Sequence, residues 1–241
     1  MTVPLYFFVD FPILSFLSLG FVLGLKHATD ADHVAAVTTF VTQERSWLRS
    51  CWIGLFWGAG HTVSLAVAGI AVILFSLRIP AWLEARLELI VAAMLVLLGL
   101  RGLYRALKGG ITVHDHVHVH GGGAAPHSHW HLHTRQDSGH EHWLHVGMRP
   151  LLTGVVHGAA GSGALMVLVL SSIQSPALSL LYVVIFGLGS VVGMMIVSSV
   201  LAVPTRWAGS QQGNVARILQ VSAGALSCAL GLVLGTRLLL A

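Results

Sequence analysis

Seven consecutive residues, His27-Ala28-Thr29-Asp30-Ala31-Asp32-His33, set two imidazoles and two carboxylates in the middle of a largely apolar run from Ile13 to Val41. At the centre of a bilayer each ionisable group costs about 2.5–3.5 kcal/mol on insertion scales, so four together require a compensating partner such as a cation or a water-filled cavity. The stretch reads as a metal site inside a membrane. Composition agrees: 55% of the 241 residues are apolar and 9% are charged, against about 25% charged in a soluble domain.

A spanning helix needs about 20 largely apolar residues, and on that scale the chain offers six candidates, at about 12–41, 51–77, 87–107, 150–173, 177–203 and 215–239. The first is too long for one straight crossing and carries the polar cluster at its centre, so a break, tilt or re-entrant segment is expected there. Residues 1–11 are too few to span and are expected at the interface. They lack the basic n-region and small-residue cleavage site of a secretory signal, so they are expected in the mature protein. Between residues 109 and 147 lie eleven of the fifteen histidines in a stretch too polar to span and too rich in Gly and His to form a core. A mobile loop is expected. The fold class is therefore all-α and integral to the membrane, with a first three-helix half at 1–108, a His-rich loop at 109–147 and a second three-helix half at 148–241.

Cytoplasmic loops collect Lys and Arg. One side of the six-span arrangement holds Arg45, Arg49, Arg101, Arg105, Lys108, Arg135, Arg149, Arg206 and Arg217; the other holds Arg78, Arg86 and Arg237. The His-rich loop is thus expected in the cytoplasm of a multi-pass cell-membrane protein, with both termini opposite. A faint repeat also runs through the chain. Gly24-Leu25-Lys26-His27 aligns with Gly154-Val155-Val156-His157, Trp57-Gly58-Ala59-Gly60-His61 with Phe186-Gly187-Leu188-Gly189-Ser190, and Leu98-Gly99-Leu100-Arg101 with Leu234-Gly235-Thr236-Arg237. Three spans per half is an odd number, so a second copy would be inserted upside down, as in transporters whose site lies between inverted repeats.

The four histidines outside the loop, His27, His33, His61 and His157, all fall within candidate spans. An intramembrane His commonly makes an interhelical hydrogen bond, and for His157 that reading stands beside ligation. For His27 and His33, with two carboxylates among seven residues, pairwise satisfaction is hard and a cation fits better. At about 100° per residue, His27, Asp30 and His33 share one helical face and Asp32 points away. Either Asp30 is the carboxylate that joins the histidines, or the backbone unwinds near Ala31 and Asp32 turns in. Imidazole with carboxylate and no thiolate suits Ni, Co, Zn or Cu(II) and argues against Cu(I). Cys51 and Cys228 match no metal or redox spacing and read as packing residues.

The stretch GLKHATDADHVAAV, followed by Gly60-His61 in the next span, resembles the nickel/cobalt permeases, secondary transporters of divalent Ni and Co. The resemblance implies metal-handling roles for His27, Asp32, His33 and His61. It covers about the first 65 residues. In the second half GVVHGAAGSGAL departs from the acidic signatures of those permeases and looks more like the shorter permease relatives associated with urease accessory proteins. The implied partners are the metal ion as transported substrate, the bilayer, and a metallochaperone or urease accessory protein. No cofactor or nucleic acid is implied.

The Gly-x-x-x-x-Gly-Lys-Ser/Thr loop is absent, as is His-Glu-x-x-His, so neither P-loop ATP hydrolysis nor zinc proteolysis is expected and the chain reads as a non-enzyme. Transport would draw on a gradient, and import ranks above metal efflux. The rival from another class is a membrane redox protein with histidines as axial haem ligands.

Overall fold

The computed structural model describes residues 6–44, 46–75, 80–108, 112–118, 127–133, 143–160, 175–211 and 213–240. Among them are seven helices: α1 (Tyr6–His27), α2 (Ala31–Val41), α3 (Trp47–Phe75), α4 (Ala81–Lys108), α5 (Trp143–Ala160), α6 (Pro176–Gln211) and α7 (Gly213–Leu240). Two strands, β1 (Thr112–His118) and β2 (His127–His133), form an antiparallel hairpin between α4 and α5.

The first expected span is two helices. α1 closes through tight turns, Thr29 N–H to Lys26 O at 2.9 Å and Asp30 N–H to His27 O at 3.1 Å. Asp30 is extended (φ −61°, ψ 145°) and caps α2, whose first carbonyl bond is Val34 N–H to Asp30 O at 3.0 Å. Three residues of non-helical backbone thus separate the two rods. α2 is short and buried, with His33, Ala35, Ala36, Val37, Thr39 and Val41 packed inside. Its far end is tied down by Gln220 Nε2, which donates to Thr42 O at 3.0 Å, and by Arg105, which donates to Gln43.

Around α2 the long helices pair closely: α3 with α6 and with α5, α4 with α7, and α1 with α6. Glycine permits this. A Cβ on Gly154 or Gly158 would overlap the carbonyl of Trp57 or His61, and one on Gly60 would overlap Leu151 O. At the α1–α6 crossing, Gly24 meets Phe186 O and Ser190 N, and Gly189 meets Phe21 O. Close backbone approach through small residues is the usual way helices associate in lipid, where no hydrophobic force drives them together.

The inner faces bury Trp57, Val37, Val41, Leu95 and Met194. The outer faces present Leu14, Val22, Val63, Val67, Leu97, Val184, Val200, Leu226 and Leu232 to the surroundings. A water-soluble chain rarely exposes apolar patches of this extent, and α3, α6 and α7 are each long and apolar enough to cross a bilayer. An apolar exterior on helices of this length is the pattern of a helical membrane protein.

Several boundaries differ from those expected. The fourth span does not start at Pro150: α5 begins at Trp143, inside the range assigned to the loop, and runs through Pro150. α6 does not stop at Val203 but passes Pro204 to Gln211. Proline is tolerated in membrane helices where neighbouring groups re-satisfy the freed carbonyl, so it marked neither end. The 109–147 stretch is not a loop throughout, since its alternating residues pair as strands. More than half of the fourth candidate, 161–173, lies outside the described residues.

Candidate metal centre

Four helices converge on one buried cluster. α1 ends on His27, α2 begins with Asp32 and His33, α3 supplies His61 and α5 supplies His157. All four imidazoles are buried. The ring centroids of His33 lie 4.5 Å from His27, 5.0 Å from His61 and 4.0 Å from His157. His33 therefore stands at the centre.

The carboxylates fix which nitrogen each ring has to offer. A carboxylate accepts, so His27 Nδ1–H donates to Asp30 Oδ2 at 2.8 Å and His33 Nδ1–H donates to Asp32 Oδ1 at 3.0 Å. Nε2 is then the lone-pair nitrogen of both rings. His33 Nε2 is buried with no hydrogen-bond partner among the described residues. His27 Nε2 accepts from His61 Nε2–H at 3.1 Å, which leaves His61 Nδ1 buried and without a partner among the described residues. The other oxygen of Asp32, Oδ2, accepts from His157 Nε2 at 2.8 Å, which leaves His157 Nδ1 buried and unpartnered in the same sense. Imidazoles whose second nitrogen is held by a carboxylate are oriented and made more basic toward a metal.

Two ligand groups result. Donor atoms of His27, His33 and His61 lie within 4.8 Å of one another, and so do those of Asp32, His33 and His157. Nitrogen ligands sit about 2.0–2.1 Å from a divalent metal such as zinc, so either group needs a contraction of only about an ångström to close on an ion. Orphaned nitrogens in a buried, thiolate-free cluster suit a borderline divalent cation.

The two geometries left open for the carboxylates resolve here. The unwound stretch lies at Ala28–Asp30, and Asp32 turns in to join His33 and His157. Asp30 stays half exposed at the cap of α2 and, among the described residues, its side chain holds His27. His157, which has no acid near it in sequence, does have one in space.

Sequence reasoning missed the walls. Trp57 stacks edge-on against His157 with centroids 5.8 Å apart, and Phe186 lies 5.7 Å from His27. The repeat held the only signal for them, because it aligns Trp57 with Phe186. Axial ligation of haem requires imidazoles on opposite sides of a flat macrocycle, and the 3.1 Å between His27 and His61 leaves no slot for one.

No protein-family profile matches the chain, and no solved structure does. One curated relative does: over 192 residues, 80% of this chain and 78% of its own length, the chain is 36% identical to the urease accessory protein UreH of Bacillus sp. (strain TB-90). The match reaches well past the 65 residues that carry the histidine signature, and on that coverage the chain belongs to the UreH family of urease accessory proteins.

Proposed function

We propose that this chain is a secondary transporter that carries a divalent transition metal, Ni2+ or Co2+, into the cytoplasm. The observation that carries the reading is the convergence of four buried histidines and Asp32 from four helices inside an apolar bundle. The relative's name ties the family to urease, and the resemblance of the α1–α3 signature to nickel/cobalt permeases ties the cluster to the metal. The ion replaces its water with His27, His33 and His61, or with Asp32, His33 and His157. Asp30 orients His27 from outside the ligand set.

Six crossings serve this function: the broken α1–α2 unit, then α3, α4, α5, α6 and α7. An inverted repeat of two three-helix halves explains why helix contacts come in reciprocal pairs. Gly24 lies against Phe186 and Ser190, and Gly154 against the aligned Trp57 and His61; Gly189 lies against Phe21, and Gly60 against Leu151. In that scheme His27 corresponds to His157, and His61 to Ser190. Rocking of one half against the other would open the cluster alternately to each side.

A membrane potential of about 100 mV draws a dication inward with roughly 4.6 kcal/mol, whereas export would need a coupled ion. The cytoplasmic side is that of the hairpin, and the receiving partner there is a metallochaperone or urease accessory protein. Uptake of radioactive nickel at matched membrane expression tests the whole reading. The His27→Ala, His33→Ala double variant should lose uptake while still inserting, and near-normal uptake would overturn it.

A further inference from the structure

The hairpin between α4 and α5 carries histidine at every second residue: 114, 116 and 118 on β1, and 127, 129, 131 and 133 on β2. What the two strands do with that alternation depends on register. His114 pairs with His131, His116 with His129 and His118 with His127, while Thr112 pairs with His133. Residues opposite one another lie on the same face of a sheet, and residues two apart along a strand share it. All seven histidine positions therefore fall on one face. The other face takes the pairs Val113 with Leu132, Asp115 with Trp130 and Val117 with Ser128.

We propose that this face is a second metal-binding site, separate from the buried cluster, in which each cross-strand histidine pair is one rung of a ladder for borderline divalent cations. Opposed strand positions have Cβ atoms about 4.5–5.5 Å apart, a span that two imidazoles bridge when each reaches a metal at about 2.0–2.1 Å. The next rung lies about 6.8 Å along the strands, two residues on. Imidazole nitrogen without thiolate selects Ni2+, Co2+, Zn2+ or Cu2+ over Mg2+ or Ca2+. Three rungs are complete; the fourth is half made, with His133 facing Thr112. The inference rests on register alone and stands whether or not the buried cluster transports metal.

Register gives a test that composition cannot mimic. In the full chain, purified without a polyhistidine tag and with the buried cluster disabled by His27→Ala and His33→Ala, Ni2+ binding is measured by equilibrium dialysis. Thr112→His completes the fourth rung and should raise capacity by about one third. Ser128→His adds the same residue to the opposite face and should leave capacity unchanged. Conversely, removing one rung (His116→Asn with His129→Asn) should cost about one third of the capacity, and breaking two rungs (His116→Asn with His127→Asn) about two thirds. Equal gains from the two added histidines, or equal losses from the two pairs, would mean an unstructured histidine tract and would overturn the ladder. The gain-of-binding arm keeps the test decisive even if a loss variant disturbs the hairpin.

Discussion

Asp30 and Asp32 stand two residues apart and hold different things. Asp32 bonds both His33 and His157, with one oxygen for each, whereas Asp30 holds His27 alone from a half-exposed cap. Asn at position 32 keeps one acceptor oxygen and replaces the other with a donor, so one of the two imidazoles must either lose its partner or turn its lone pair to the amide and present an N–H to the cluster. Asp32→Asn is therefore expected to abolish nickel uptake. Asp30→Asn disturbs only the orientation of His27, and changes of that kind weaken metal affinity by about 10–100-fold; a raised half-saturation concentration with uptake retained is the expected result. Equal, complete loss in both would contradict the assignment. His157→Ala should be nearly as severe as His33→Ala, because it strips a buried donor from Asp32 and a ligand from the second group. His27, Asp30, Asp32 and His33 stood out in the sequence because polar groups in an apolar run demand an explanation locally, with the two carboxylates left as alternatives, and the resemblance added His61. The role of His157 was not legible there, since its acid lies 125 residues away and only the folded chain brings the two together.

The helix pairs depend on backbone contact, and that dependence varies sharply between glycines. At Gly154 and Gly158 an added methyl would overlap carbonyls of α3, and the helices that carry His61 and His157 would have to part. Overpacking in a tight core costs about 1–3 kcal/mol, and a clash with backbone has no flexible side chain to absorb it. Gly154→Ala should therefore lower the thermal unfolding temperature in detergent and depress uptake. Gly235→Ala is the control: its Cβ would meet Ala92 Cβ at 3.7 Å, ordinary contact, and the lower entropy cost of Ala in a helix should leave the protein as stable or slightly more so. If both substitutions behave alike, the crossings are not what holds the histidines together. The spacing of these glycines was visible in sequence, but the identity of the partner helix was not. Strand pairing in the hairpin was written plainly as alternation in TVHDHVH and HSHWHLH. It was obscured because histidine is neither apolar nor a turn former, so a period of two gave no apolar face to recognise.

At the scale of the whole molecule, the proposed topology puts the hairpin in the cytoplasm. A single cysteine at position 122, in a chain freed of Cys51 and Cys228, should resist an impermeant thiol reagent on intact cells and react in inverted vesicles. The reverse pattern would invert the orientation. Deleting residues 112–141 and bridging the gap with a short Gly/Ser linker should leave uptake measurable, because α5 begins at Trp143 and the buried cluster keeps every member. Three of the proposed crossings, α3, α6 and α7, are each a single described helix long and apolar enough to cross a bilayer. The other three fall short as single helices for identifiable reasons: α1 and α2 are parted by the turn at Ala28–Asp30, α4 carries Glu84, Arg86 and Glu88 near its start and Arg101, Arg105 and Lys108 near its end, and α5 is described over 18 residues that include Arg149. Finally, His33 belongs to both ligand groups but has one lone pair to give, because its Nδ1–H is held by Asp32. Two ions cannot share it. A second dication about 5 Å from the first would also meet a repulsion of roughly 13 kcal/mol at an effective dielectric constant near 20. For the proposed transporter, single occupancy of the cluster would exclude the ion-pushes-ion traffic of a channel pore: flux should follow a simple hyperbola with a Hill coefficient of one, and each turnover should wait for the previous ion to leave.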